Sequence, residues 1–184
     1  MKYNDPLALG RADPYIYKHT DGYYYFTATY PAYDRICLRR SKTINGITDA
    51  EEKEIWHKHE TGIMASHIWA PEIHYIDGKW YIYFAAGEDK NIWEIRPYVL
   101  ECSDADPMNG AWKELGMMQA LTPPDENTIN GYDRYSFTDF SLDMTVFENK
   151  GKRYCVWAEK VNIGKKISNL YIAEMKSPTE LATA

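Results

Sequence analysis

One pattern recurs three times along the chain and restricts its fold more than any other feature. "ADPYIYKHTDGYYYFTAT", "APEIHYIDGKWYIYFAA" and "SLDMTVFENKGKRYCVWAE" each read as an acid, a short extended apolar run, a glycine-bearing turn and a second, aromatic run. The turn glycines are Gly22, Gly78 and Gly151. Runs of this length, rich in aromatic and β-branched residues and bounded by Gly, Asp, Asn or Pro, predict strands. A third strand follows each pair ("ICLRRS", "PYVLECS", "LYIAEM"), and "WKELGMM" supplies a fourth to the middle unit. Repeated units of three or four antiparallel strands are the signature of propeller blades. A sandwich also alternates strands and turns, but it gives no reason for an acid at the same place in every unit. The units predict blades at about 1–60, 61–120 and 138–184. In a propeller the first strand of each blade lines the axis, so Asp13, Glu72 and Asp143 are expected to converge at one end of a channel. An unpaired charge buried there is costly, which makes a bare structural role expensive, but Asp flanking strands is also common in turns, so both roles stay open.

Composition narrows the remaining classes. Aromatic residues make up 15% of the 184-residue chain, with 16 Tyr and 6 Trp, an excess that suits pleated sheets and argues against disorder. The net charge of -6, without a Lys/Arg stripe, makes nucleic acid a poor partner. No run approaches the ~18 apolar residues of a membrane helix, so no membrane partner is expected, and no long amphipathic helix is predicted. The opening "MKYNDPLALG" has no apolar signal core; a secreted or periplasmic protein stays compatible with it if a leader has been removed. Cys37, Cys102 and Cys155 are odd in number and widely spaced, so they read as buried small hydrophobes rather than disulfides or a zinc site. No His/Cys/carboxylate cluster has metal-ligand spacing, and no metal or cofactor is called for. The run "EEKEIWHKHE" reads as a solvated surface segment.

The strings "GRADPYIYKHTDGYYYFTAT", "HIWAPEIHYIDGKWYIYFAA" and "FSLDMTVFENKGKRYCVWAE" together resemble glycoside hydrolase family 43, from about residue 4 to the end of the chain. The resemblance implies an all-β, five-bladed propeller and hydrolysis of arabinofuranosyl or xylosyl linkages in plant polysaccharide, with inversion. It implies that Asp13 is the general base and Asp143 the acid that raises the pKa of the general acid. Inversion needs a carboxylate to deprotonate water on the face opposite the leaving group, with about 6.5–9.5 Å between the two carboxyl groups. The family's general acid is a Glu, usually in an "EGP"-like motif, and this sequence contains no EGP. Glu180, in "SPTEL", reads as part of a surface turn instead. The expectation is therefore about three of five blades, an incomplete acid–base pair and impaired turnover. Exposed blade faces are then expected to promote self-association. A non-catalytic carbohydrate-binding or assembly module is the alternative.

Around these acids, Trp69 and His67 of "SHIWAPE" either line the sugar site or pack in a blade core. Glu72 is expected to support the site by bonding backbone or sugar. Phe26 and Tyr30 read as core. The excursion over 119–139 is an irregular loop in which Tyr132, Asp133 and Arg134 either rim the pocket or are simply solvated.

Overall fold

A computed structural model describes residues 2–120, 136–160 and 168–182. It contains three four-stranded antiparallel sheets, each built from strands consecutive in sequence. The first holds β1 (Ala12–Lys18), β2 (Tyr24–Thr29), β3 (Arg35–Ser41) and β4 (Lys53–His57). The second holds β5 (Ser66–Ile76), β6 (Lys79–Gly87), β7 (Arg96–Cys102) and β8 (Trp112–Met117). The third holds β9 (Ser141–Asn149), β10 (Lys152–Glu159), β11 (Asn169–Ser177) and β12 (Glu180–Leu181). The described residues include one 3₁₀ turn, Asn45–Ile47, and no α-helix. The residues Tyr132, Asp133 and Arg134 lie outside the described ones.

Each sheet begins with the hairpin read from the repeat. Its turn needs a residue with positive φ, and Gly22, Gly78 and Gly151 supply it at +86°, +84° and +77°. Side chains alternate across each strand, so a strand between two sheets must be apolar on both faces. This explains "KWYIYFAAG". Trp80, Ile82 and Phe84 of β6 pack toward the first sheet with Tyr25, Ile36, Leu38 and Trp56. Tyr81 and Tyr83 pack the other way, with Met144, Val146, Cys155 and Trp157 of the third sheet. All three cysteines are buried and free. β1 contacts β5 and β5 contacts β9, so the first strands of the three sheets are neighbours.

Two segments differ from their sequence reading. The run "EEKEIWHKHE" contains β4, an edge strand rather than a solvated segment. Its Trp56 is buried, packs on Phe84 at 5.2 Å and donates from Nε1 to Glu114 at 2.7 Å. The charges around it, such as Glu54 bonded to Arg35 at 2.6 Å, cover an edge that would otherwise be open to pairing. Glu180 likewise lies in a two-residue strand, where it pairs with Lys176 at 2.9 Å while Leu181 is fully buried.

The third sheet is pinned where its chain enters. Glu159, at the end of β10, is fully buried. It accepts hydrogen bonds from the amides of Phe137, Thr138 and Asp139 at 3.0, 3.1 and 3.3 Å and from Trp157 Nε1 at 2.8 Å. The Ser141 amide then donates to Ile95 O at 3.0 Å, tying the start of β9 to the second sheet. Hydrogen bonds to a charged group are worth about 1.5–3 kcal/mol each. Glu159→Ala should therefore lower unfolding stability by roughly 3 kcal/mol in urea melts, and Glu159→Gln, which keeps one carbonyl acceptor, by less.

Candidate active site

The three first strands carry the same irregularity at the same end. In β1, Asp13 and Pro14 stand opposite one residue of β2, between the pairs Ala12–Thr29 and Tyr15–Thr27. In β5, Ala70 and Pro71 do so between Trp69–Ala85 and Glu72–Tyr83. In β9, Asp143 and Met144 do so between Leu142–Ala158 and Thr145–Val156. Each is a β-bulge, and each opens with a residue in the left-handed region: φ is +51° at Asp13, +45° at Ala70 and +53° at Asp143. Asp tolerates this region better than most residues because its short polar chain bonds locally. The bulge turns the side chain out of the regular alternation, and Asp13 and Asp143 accordingly lie exposed at the strand ends.

This geometry corrects the expected equivalence of the acids. The position in β5 that corresponds to Asp13 and Asp143 is Ala70, not Glu72. Glu72 lies two residues on, half-buried, where β1 has Tyr15 and β9 has Thr145. Its Oε2 is 3.1 Å from His74 Nε2, and His74 Nδ1 is 3.4 Å from the Tyr15 hydroxyl. Burial, then the charge of Glu72, raises the pKa of Tyr15, so this phenol stays protonated.

Asp13 and Glu72 still act on Asp143. The pKa of Asp143 is raised above the usual carboxylate value, chiefly by desolvation and then by the negative charges of Asp13 and Glu72. Asp13 accepts a 2.6 Å hydrogen bond at Oδ2 from Thr29 Oγ1, which itself accepts one from the Ala70 amide at 2.8 Å. Among the described residues no group of three or more His, Cys, Asp or Glu side chains is placed to hold a metal ion.

Beside the acids lies an aromatic shelf. Trp69 and His67, both half-buried, have ring centroids 4.4 Å apart. His67 also packs on Trp93 at 4.9 Å, and Tyr33 meets Trp69 edge-on at 5.7 Å. His67 Nδ1 donates to Ile92 O at 2.7 Å and so holds the loop that carries Trp93. Trp93 is 58% exposed and Tyr33 44%. Sequence reasoning missed Trp93, Tyr33, Thr29 and His74; a tryptophan in the polar run "GEDKNIWE" was the signal available for the first. Phe26 is core, as read.

Two carboxylates thus lie at the ends of adjacent strands, and Trp69, the neighbour of Ala70, offers with Trp93 and Tyr33 aromatic faces of the kind that suit sugar rings. The chain belongs to glycosyl hydrolases family 43, whose family model matches residues 3–183. It is 50% identical over 178 residues to an extracellular exo-α-(1→5)-L-arabinofuranosidase of Streptomyces avermitilis, covering 97% of this chain and 34% of that protein. It is 44% identical to α-L-arabinofuranosidase 43 of Humicola insolens, again covering 97% of this chain and 34% of that one. The crystal structure of an α-L-arabinofuranosidase from Lactobacillus brevis superposes with a TM-score of 0.83 at 47% identity, covering 98% of this chain and 54% of that chain. The chain thus spans about a third to a half of the length of these relatives.

The raised pKa of Asp143 fixes the sign of a pH effect. Over the interval between the ordinary and the raised value, the folded chain keeps a proton that the unfolded chain has released. Stability therefore falls as pH rises through that interval, and the loss persists above it. Asp143→Asn, which also tolerates positive φ, should raise the urea midpoint at neutral pH and leave it unchanged below the ordinary Asp range.

Proposed function

We propose that this chain carries the water-activating part of an inverting arabinofuranosidase site. Asp13 takes the proton from a water attacking the anomeric carbon. Asp143 supplies negative charge that keeps a neighbouring general acid protonated. Trp69, His67 and Glu72 bind the sugar, with Trp93 and Tyr33 extending the aromatic wall. The observation that carries the reading is the bulge shared by three adjacent strands, which delivers Asp13 and Asp143 to one exposed end. The arabinofuranosidase names of the relatives favour arabinofuranosyl over xylosyl groups. On this reading the sheets are three blades of a five-bladed propeller, and the general-acid Glu is not among the residues of this chain.

The test separates base from acid. A nitrophenyl leaving group needs little protonation, so a site with a base alone releases it, whereas natural arabino-oligosaccharides need the acid. The chain should hydrolyse nitrophenyl arabinofuranoside slowly and oligosaccharides hardly at all, and Asp13→Asn should lower the nitrophenyl rate by about 10²–10⁴-fold. Equal rates on both substrates would mean that the acid is present. Sugar binding without any turnover would establish the second reading, a carbohydrate-binding module, which the exposed Trp93 supports.

The same reading gives the outward face of the third sheet a partner. Leu170 and Ile172 on β11 are 78% and 59% exposed, and Phe147 on β9 is 41% exposed. Two copies of the chain associate through this apolar face. Light scattering should report a dimer or larger species that Ile172→Lys dissociates, and a monomer at all concentrations would contradict it.

A further inference from the structure

Resting on the reading of Asp13 as general base, we propose that Thr29 is its positioning residue, and that the bulge at Ala70 serves to hold Thr29. The directions of the two hydrogen bonds carry the argument. The Ala70 amide can only donate, so Thr29 Oγ1 is its acceptor at 2.8 Å. A hydroxyl has one proton, and that proton is left pointing at Asp13 Oδ2, 2.6 Å away. The chain of bonds therefore runs one way, from the backbone of the second sheet through a side chain of the first to the carboxylate. Oδ2 is fixed as an acceptor, and Oδ1 is left to receive the proton of the attacking water.

The surroundings confine the hydroxyl. Thr29 is 3% exposed, and its branched Cβ restricts χ1. Ala70 is buried too, and the residue after it, Pro71, has no amide proton. In the first and third sheets the residue that opens the bulge contributes a carboxylate. In the second sheet β5 carries two such steps; the first opens with His67, and the one matching Asp13 and Asp143 opens with an alanine that has no functional side chain, whose backbone amide is what the site uses. A left-handed alanine is disfavoured, so this bulge is explained by where it sends the N–H.

The test reads the bond chain itself and does not require turnover. In the isotopically labelled chain, NMR should show the Ala70 amide proton shifting over the same pH interval as the Asp13 carboxyl carbon. Asp13→Asn should abolish that shift. Thr29→Val, which keeps the shape and removes the hydroxyl, should break the link and leave the Ala70 amide flat, and Thr29→Ser should restore it. A wild-type Ala70 amide that stays flat while Asp13 titrates, or one that still follows Asp13 in Thr29→Val, overturns the proposal. If Thr29→Val does not fold, the wild-type and Asp13→Asn spectra decide alone. Where Asp13→Asn lowers turnover, Thr29→Val should lower kcat roughly 10- to 100-fold with KM nearly constant, and Thr29→Ser should recover it. Turnover untouched by Asp13→Asn, with the linked titrations still present, would remove the proposed function and leave the relay standing.

Discussion

The site depends on one backbone constraint: two residues set against one at Asp13, Ala70 and Asp143 of the three first strands, the first of each pair left-handed. In an unbroken strand, side chains alternate strictly between the two faces of the sheet. An acid there would face either another sheet or the wrong side. The extra residue breaks the alternation and sends the carboxylate off the strand end. The cost falls on a backbone conformation that most residues avoid. Asp13 and Asp143 lower that cost by their chemistry. Ala70 does not, and its amide instead meets a buried hydroxyl across the sheet boundary.

Holding like charges in one region needs a stiff frame. The second sheet provides it, because β6 is buried on both faces and joins two cores that share no residue. Glu159 does the corresponding work for the third sheet by cradling three successive amides just ahead of β9. Glu72 is not left bare among the acids, since His74 and Tyr15 extend from it into the core. Its charge still reaches Asp143, so it contributes to the field without occupying a bulge.

The architecture was legible wherever hydrophobic period and turn chemistry agree. Tyr-rich strands, Gly turns and the threefold recurrence were all on the surface of the sequence, and ten of the twelve strands lie where those runs lie. β4 was hidden because only Trp56 marks its buried face among charged neighbours. The bulges were hidden for a different reason. A bulge adds a residue without changing composition, and matching the units acid to acid paired the glutamate of "APE" with the aspartate of "ADP" when the backbone matches the alanine. Thr29 was invisible because its importance rests on a residue 41 positions away in sequence. The acids could be named from their motifs, but not the bonds that orient them.

On the proposed reading, the field around Asp143 bears on the half of the chemistry not assigned to Asp13. Asp13 and Glu72 raise the pKa of Asp143 because each negative charge disfavours another nearby. The same three charges would act on any carboxyl group brought into the space between them and the aromatic shelf. Such a group would hold its proton to higher pH than it would in water, which is the property a general acid needs. The direction of the electrostatics there is therefore set by residues of these three sheets. On the proposed reading, what a general acid must supply there is position: close enough to the leaving-group oxygen to deliver a proton, and far enough from Asp13 to admit a water.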